Sequence, residues 1–124
     1  MSELKGPFVL VVDDDEDIAQ SIGDVLRNGG YAYELVADGA QALDLAKRRT
    51  IGLVLLDWRL PDEPAGATLV RRLRDACGGQ VPVVVLSADP ISLNEARDAN
   101  VDDYLPKPFE IADLLDLVDT YMKS

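Results

Sequence analysis

Short strand-like runs alternate with segments of helical spacing along this chain, and the alternation occurs five times. The runs are rich in β-branched, aromatic or leucine residues, which is typical of strands. Strands that alternate with helices form a parallel sheet with helices on both faces. The pattern predicts an α/β fold, a single doubly wound (βα)5 domain with a five-stranded parallel sheet. The predicted strands are residues 8–12, 31–37, 51–56, 81–86 and 102–105.

Apolar residues recur every three or four positions between the strands, as expected for helices that bury one face. The last predicted helix, 110–123, has the clearest stripe, and the helix predicted at 90–100 carries so few apolar residues that we expect it to be loosely packed. The stripe of the last helix consists of Ile111, Leu114, Leu115, Val118 and Met122. The remaining apolar stripes predict helices around residues 18–26, 41–49 and 69–77.

Length and composition exclude several classes of protein. The 124 residues suit one domain, and because no repeat or linker divides them we predict a single domain over 1–124 with no output domain. The net charge of −11 argues against a nucleic-acid-binding surface, which needs clustered cations. No signal peptide or membrane-spanning apolar segment is evident, so we expect a cytoplasmic protein without membrane association.

The chain contains no histidine and a single cysteine, Cys77. Without histidine it can form neither a Ser-His-Asp triad nor a histidine-ligated zinc site, and it cannot carry phosphohistidine. One cysteine also excludes an intramolecular disulfide. Cys77 lies at an apolar position of the third predicted helix, where we expect an inert, buried thiol.

Aspartates follow two of the predicted strands directly. The first strand leads into Asp13, Asp14 and Asp15, and the third leads into Asp57. The carboxyl ends of parallel strands meet at one edge of the sheet, where ligands bind. Close carboxylates repel by about 4 kcal/mol per pair at an effective dielectric of about 20, and a hard divalent cation relieves this repulsion. The acids therefore predict a metal site suited to phosphate, with Asp15 expected only to cap the next helix.

Two further polar residues follow the remaining strands at the same edge. Ser87 follows the fourth predicted strand, and Lys107 follows the fifth. A nucleophilic carboxylate, a bridging cation and fixed donors for the other oxygens are what phosphoryl transfer to a carboxylate requires.

Four motifs at the strand ends resemble those of the receiver domain of two-component response regulators. They are VVDD at 11–14, LLDWRLP at 55–61, VLSA at 85–88 and YLPKPF at 104–109. The resemblance covers essentially the whole chain and implies the flavodoxin-like receiver fold. It also implies a phosphoacceptor rather than an enzyme, a protein that catalyses only its own phosphorylation and dephosphorylation.

The resemblance assigns the central roles to the acidic residues. Asp57 is expected to accept a phosphoryl group from a sensor histidine kinase or phosphotransfer protein in a phosphorelay. Asp13, Asp14, Asp57 and the backbone carbonyl of Arg59 are expected to hold Mg²⁺ or Mn²⁺.

The resemblance also assigns roles to the residues after the fourth and fifth strands. Ser87, Ala88 and Lys107 are expected to bind the phosphoryl group, and the Lys107–Pro108 bond is commonly cis in the family. Ser87 and Tyr104 are expected to form the switch. The signal would pass to the surface formed by the fourth predicted helix, the fifth strand and the fifth helix.

Arg59 and Asp89 occupy positions that tune the phosphoryl lifetime in receivers. We hypothesise that they form an ion pair that hinders attacking water. The loop after Asp57 is slightly longer than usual and carries an additional proline, Pro64, while the interval from Ser87 to Lys107 is slightly short.

Other functions and partners stay open at this point. One alternative is a pseudo-receiver that binds proteins without phosphorylation, and another is a haloacid-dehalogenase-type phosphohydrolase, whose signature the 13–15 motif partly matches. The output would be a downstream protein or a covalently linked domain. Receivers of winged-helix transcription factors usually dimerise through charged pairs that need basic residues in the last helix. The last helix here carries aspartates and no arginine, so we expect a monomer or weak dimer.

Overall fold

The computed structural model describes residues 6–123, with the backbone alone at residues 90–93. Five parallel strands form one sheet in the order β2-β1-β3-β4-β5, and helices connect them. The predicted (βα)5 fold is confirmed. The elements are β1 (Phe8–Val12), α1 (Glu16–Asn28), β2 (Tyr33–Val36), α2 (Gly39–Arg48), β3 (Ile51–Asp57), α3 (Gly66–Ala76), β4 (Val83–Ser87), α4 (Pro90–Asp98), β5 (Asp103–Pro106) and α5 (Ile111–Met122).

The sheet separates two hydrophobic cores because successive residues of a strand point to opposite faces. In β1, Phe8, Leu10 and Val12 enter the core shared with α2, α3 and α4. Val9 and Val11 enter the other core, which α1 and α5 cover. All five side chains are fully buried. Because both faces of β1 are buried, its sequence is an uninterrupted apolar run and does not alternate between apolar and polar residues.

Side-chain caps fix the helix that follows the acidic motif. Asp15 precedes α1, and its carboxylate accepts hydrogen bonds from the backbone N–H groups of Asp17 at 3.0 Å and Ile18 at 3.2 Å. Asp15 is therefore the helix cap expected from the sequence. Asp38 caps α2 in the same way, accepting from the N–H of Gln41 at 2.9 Å.

Three strands end one residue later than predicted, so that site residues belong to the sheet itself. Asp57 pairs with Leu86, and Ser87 pairs with Pro106. This pairing fixes the backbone of the polar residues at the carboxyl edge. The strand predicted at 31–37 is shorter, Tyr33–Val36, because the preceding Tyr31 packs on the core from a loop.

Two sequence-based expectations need correction. Ile111 was expected in the buried stripe of the last helix, but 63% of it is exposed, because it opens α5 and the first fully buried residue there is Leu114. Cys77 was expected within a helix, but it caps the C-terminus of α3 and is half-buried. Burial nevertheless raises the pKa of the Cys77 thiol, as expected for an unreactive cysteine.

Helix α4 buries little over residues 94–98, the part whose side chains the structure describes. Among the side chains that the structure describes in this helix, only Ala96 is buried. Over residues 6–123, no helix combines the length and the apolar character needed to cross a bilayer.

Candidate functional site

Three carboxylates meet at the carboxyl edge of the sheet. β1 and β3 are neighbours, with Val12 opposite Leu56, so the residues that follow lie side by side. One carboxylate oxygen from each of Asp13, Asp14 and Asp57 lies within 4.8 Å of the others. Asp13 and Asp57 are buried, at 2% and 7% exposure, whereas Asp14 is exposed. The acidic cluster is therefore deep on one side and open to solvent on the other.

Lys107 supplies a positive charge to this cluster. Its Nζ donates to Asp13 Oδ2 at 3.0 Å and lies 3.9 Å from Asp57 Oδ1. The other oxygen of Asp13, Oδ1, accepts the backbone N–H of Asp15 at 2.9 Å. One ammonium thus offsets part of the repulsion between two buried carboxylates, as a buried charge requires.

The pKa of Asp57 is raised from 3.8 to about 6. Burial is the largest cause, and the neighbouring charges of Asp13 and Asp14 raise it further. Lys107 and the backbone N–H of Arg59, which donates to Asp57 Oδ1 at 3.2 Å, act in the opposite direction. A second cation at the cluster would favour the ionised carboxylate.

The donor set fits a hard divalent cation. Mg²⁺ prefers oxygen ligands and is held by one or two carboxylates together with water and phosphate oxygens. Asp13, Asp14 and Asp57 offer such oxygens within one small volume. The hydrogen bond from Arg59 N–H to Asp57 also brings the Arg59 backbone to this site, where its carbonyl was expected as a ligand.

Ser87 and Lys107 lie side by side at the adjoining strand ends. Ser87 is 3% exposed, its backbone oxygen accepts the N–H of Lys107 at 3.0 Å, and its Oγ accepts the N–H of Asp89 at 3.0 Å. Ala88 is exposed and, with Lys107, lines a cavity of about 530 Å³ that extends towards α1 and Pro108. The Lys107–Pro108 bond is cis, as the resemblance implied.

Tyr104 reaches the same loop from β5. Its hydroxyl donates to the backbone oxygen of Ser87 at 3.1 Å and lies 3.4 Å from that of Asp89. The ring is half-buried against the core shared by α2, α3 and α4. The predicted switch residues are thus in direct contact.

An ion pair joins the loops that follow β3 and β4. Arg59 donates to Asp89 Oδ2 through Nη2 at 2.7 Å and through Nε at 3.1 Å. This is the pair hypothesised from the sequence, and both residues lie two positions beyond a strand-end site residue.

The family model of the response regulator receiver domain matches residues 9–119. The chain belongs to this family. Among its relatives, response regulator MprA of Mycobacterium sp. (strain KMS) is 42% identical over 109 residues, which cover 86% of this chain and 46% of the relative. MprA of Mycobacterium avium (strain 104) is 40% identical over the same length. This receiver domain thus spans about half the length of these relatives.

Solved receiver structures share the fold over nearly the whole chain. The receiver domain of the Francisella response regulator 1452 is 34% identical, with a TM-score of 0.83 over 95% of this chain and 98% of that one. The receiver domain of the sensor histidine kinase PA1611 from Pseudomonas aeruginosa PAO1 is also 34% identical, with a TM-score of 0.86 over 96% and 99%. In that protein a magnesium ion is coordinated in the active site cleft.

One contact of this receiver domain was not foreseen from its sequence. The indole N–H of Trp58 donates to Glu95 Oε1 at 2.8 Å, and Nη2 of Arg59 lies 3.7 Å from the same oxygen. Trp58 directly follows Asp57, but nothing in the sequence identified a partner 37 residues away on a weakly patterned helix.

Proposed function

We propose that this receiver domain accepts a phosphoryl group on Asp57 from a partner histidine kinase or phosphotransfer protein. The observation that supports this most directly is the position of Asp57 at the end of β3, buried beside Asp13 and Lys107 and close to Asp14. Asp57 is part of β3, whereas Asp13 and Asp14 follow the end of β1. Its carboxylate lies near the ammonium of Lys107 and the carboxylates of these two residues.

The transfer itself needs little from the protein beyond an ionised nucleophile and charge compensation. An Oδ oxygen of Asp57 attacks phosphorus, the P–N bond of the donor phosphohistidine breaks, and the imidazole nitrogen keeps the electron pair. With a pKa of about 6, Asp57 is mostly ionised at neutral pH. Lys107, 3.9 Å from Asp57, lowers the repulsion between the carboxylate and the incoming anion.

Asp13, Asp14, Asp57 and the Arg59 carbonyl would hold Mg²⁺ or Mn²⁺. Such an ion would supply positive charge that offsets the negative charge of the nucleophile and of the phosphoryl group. The three carboxylates and the Arg59 N–H bond to Asp57 support this assignment.

The residues after β4 and β5 would hold the product and respond to it. Ser87, Ala88 and Lys107 would bind the phosphoryl oxygens. Drawing Ser87 towards the new charge would disturb the backbone oxygen to which Tyr104 donates, so these two residues would form the switch. The surface of α4, β5 and α5 is next to them and would carry the signal.

Partners other than the kinase would carry the output of the domain. The chain spans about half the length of the MprA relatives, and we propose that its output is a covalently linked domain or a separate downstream protein. The net charge of −11 favours a protein partner over direct nucleic-acid binding. We propose one receiver domain over 1–124, monomeric or weakly dimeric and cytoplasmic, whose catalysis is limited to its own phosphorylation and dephosphorylation.

One incubation distinguishes this function from the alternatives. The protein is treated with acetyl phosphate and Mg²⁺ and its intact mass is measured, with Asp57→Asn as the test variant and Asp15→Asn as the matched control. Asn at 15 still caps α1, so the control removes one acid without removing a proposed ligand. A labile adduct in the wild type and in Asp15→Asn, absent from Asp57→Asn, supports the proposal.

The two other outcomes are equally specific. Steady release of phosphate without an adduct would support a phosphohydrolase instead. No adduct and no turnover would support a pseudo-receiver that acts by binding alone.

A further inference from the structure

The loop after the phosphoacceptor is tied to α4 through one carboxylate. Oε1 of Glu95 accepts the indole N–H of Trp58 at 2.8 Å and lies 3.7 Å from Nη2 of Arg59. Two consecutive residues of the loop thus converge on a single oxygen of a helix that lies far from them in the sequence.

Both contacts constrain the loop. Trp58 is only 5% exposed, so its N–H needs an acceptor inside the protein, and Glu95 provides it. Arg59 is drawn between Glu95 and Asp89, which fixes a long side chain that would otherwise sample many rotamers.

The backbone between these side chains belongs to the site. The N–H of Arg59 donates to Asp57 Oδ1 at 3.2 Å, and its carbonyl is the backbone ligand in the proposed metal site. Because Glu95 holds the side chains of Trp58 and Arg59, it also restricts the orientation of the peptide between them. In metal sites, the groups that orient ligands govern affinity strongly.

We propose that Glu95 is a positioning residue for the phosphorylation site, acting through Trp58 and Arg59 on the backbone that contacts Asp57 and the metal. This inference rests on the proposed function and adds a residue of α4 to it. Glu95 touches neither the metal nor the phosphoryl group.

The helix offers a matched control. Asp98 is the other acidic residue of α4 and is exposed like Glu95, and within residues 6–123 its side chain has no hydrogen bond or ion pair. Asp98→Asn removes the same charge from the same helix without breaking a side-chain hydrogen bond or ion pair within residues 6–123. Any difference between the two positions reports the contacts of Glu95 and not the net charge.

The test uses the Mg²⁺ dissociation constant and the lifetime of the phosphoryl group. Trp58 is the only tryptophan of the chain and lies beside Asp57, so its fluorescence follows a Mg²⁺ titration. Wild type, Glu95→Ala, Glu95→Gln and Asp98→Asn are compared after urea unfolding has shown that each is folded. The lifetime is measured by intact mass after acetyl phosphate is removed.

We expect Glu95→Ala to raise the dissociation constant about three- to tenfold, less than the roughly 10- to 100-fold effect of groups that bond a ligand directly, and to shorten the lifetime at least about twofold. Glu95→Gln keeps an acceptor for Trp58 but loses the charge beside Arg59, so its effect should be intermediate. Asp98→Asn should match the wild type.

Failure of this inference is distinct from failure of the proposed function. If Glu95→Ala and Asp98→Asn have the same Mg²⁺ affinity, the positioning role is wrong, even where the wild type binds Mg²⁺ and forms the adduct. If the wild type does neither, the proposed function is wrong and the role of Glu95 falls with it.

Discussion

The ammonium of Lys107 donates to Asp13 Oδ2 at 3.0 Å, across a sequence separation of 94 residues. The Asp13 side chain is inaccessible to solvent, and Lys107 is largely buried, so the pair joins β1 to the loop after β5 inside the protein. This contact compensates the acidic cluster, and Lys107 is also close enough to Asp57 to act on a phosphoryl group there.

Replacing Lys107 by Ala should slow phosphorylation by more than any effect on folding can explain. Without the ammonium, Asp57 and Asp13 repel an anionic donor, and we expect the rate of phosphorylation by acetyl phosphate to fall about 10²-fold or more. Stopped-flow fluorescence of Trp58 measures the rate. Lys123→Ala, at an exposed lysine of the α5 cap, is the control and should leave it unchanged. Equal rates in the two variants would contradict the role of Lys107.

Stability should depend on pH through Asp57 with a defined sign. Its pKa is about 6 in the folded protein and 3.8 without the fold, so between these values the folded state binds the extra proton. Ionisation of the buried Asp57 therefore lowers the free energy of unfolding as pH rises through this window, and the loss reaches its full value above about pH 6. A shift of about two units corresponds to roughly 3 kcal/mol.

Asp57→Asn should remove that cost. We expect the variant to be more stable than the wild type at pH 7.5 by roughly 3 kcal/mol, and to have a much smaller advantage at pH 4.5. Urea unfolding of both proteins at the two pH values gives the comparison. A stability difference that is independent of pH would show that burial does not raise the pKa of Asp57.

Breaking the Arg59–Asp89 ion pair should shorten the life of the phosphoryl group. In Arg59→Ala, water reaches the site more freely, and because exposed pairs contribute up to about 1 kcal/mol, dephosphorylation should accelerate up to about fivefold. Loss of the adduct with time is followed by intact mass. Arg72→Ala, an exposed arginine of α3, is the matched control. An unchanged rate in Arg59→Ala would refute the tuning role.

Removing the Tyr104 hydroxyl should loosen the loop after β4 while leaving phosphorylation intact. Tyr104→Phe loses the bond to the Ser87 oxygen, so we expect faster amide exchange over residues 88–89 and a stability loss of about 1 kcal/mol. Tyr121→Phe is the comparison, because it loses hydroxyl bonds to Asp102 and Asp103 away from this loop. Equal exchange over residues 88–89 in both variants would argue against the switch assignment.

The strand ends were predictable because β1, β3 and β4 are buried on both faces and are therefore apolar almost throughout. The first polar residue is the last residue of β3 and β4 and directly follows β1. This pattern predicts that Asp13 and Asp57 lie at the same edge of the sheet. Tyr31 misled the prediction of β2, since an aromatic residue packs on a core equally well from a loop, here with its hydroxyl donating to Asp119.

The remaining features depend on tertiary contacts that no local pattern encodes. Ile111 is apolar, yet the helix begins with it before its buried stripe reaches the core. Glu95 looks like any solvated acid in the sequence, and only the approach of α4 to the loop after β3 shows its partner, Trp58. The rotational position of α5 decides the exposure of Ile111, and the packing of α4 against the loop after β3 decides the contact of Glu95.

The sheet has two open edges, β2 and β5, and each is only four residues long. β2 carries Glu34, paired with Arg49, while β5 carries Asp103 and ends in Pro106, which has no N–H to donate. Short, charged edges resist pairing with strands of other molecules. The two edges therefore disfavour edge-to-edge aggregation when many copies are crowded together, and contacts at β5 are left to its side chains and to the neighbouring helices.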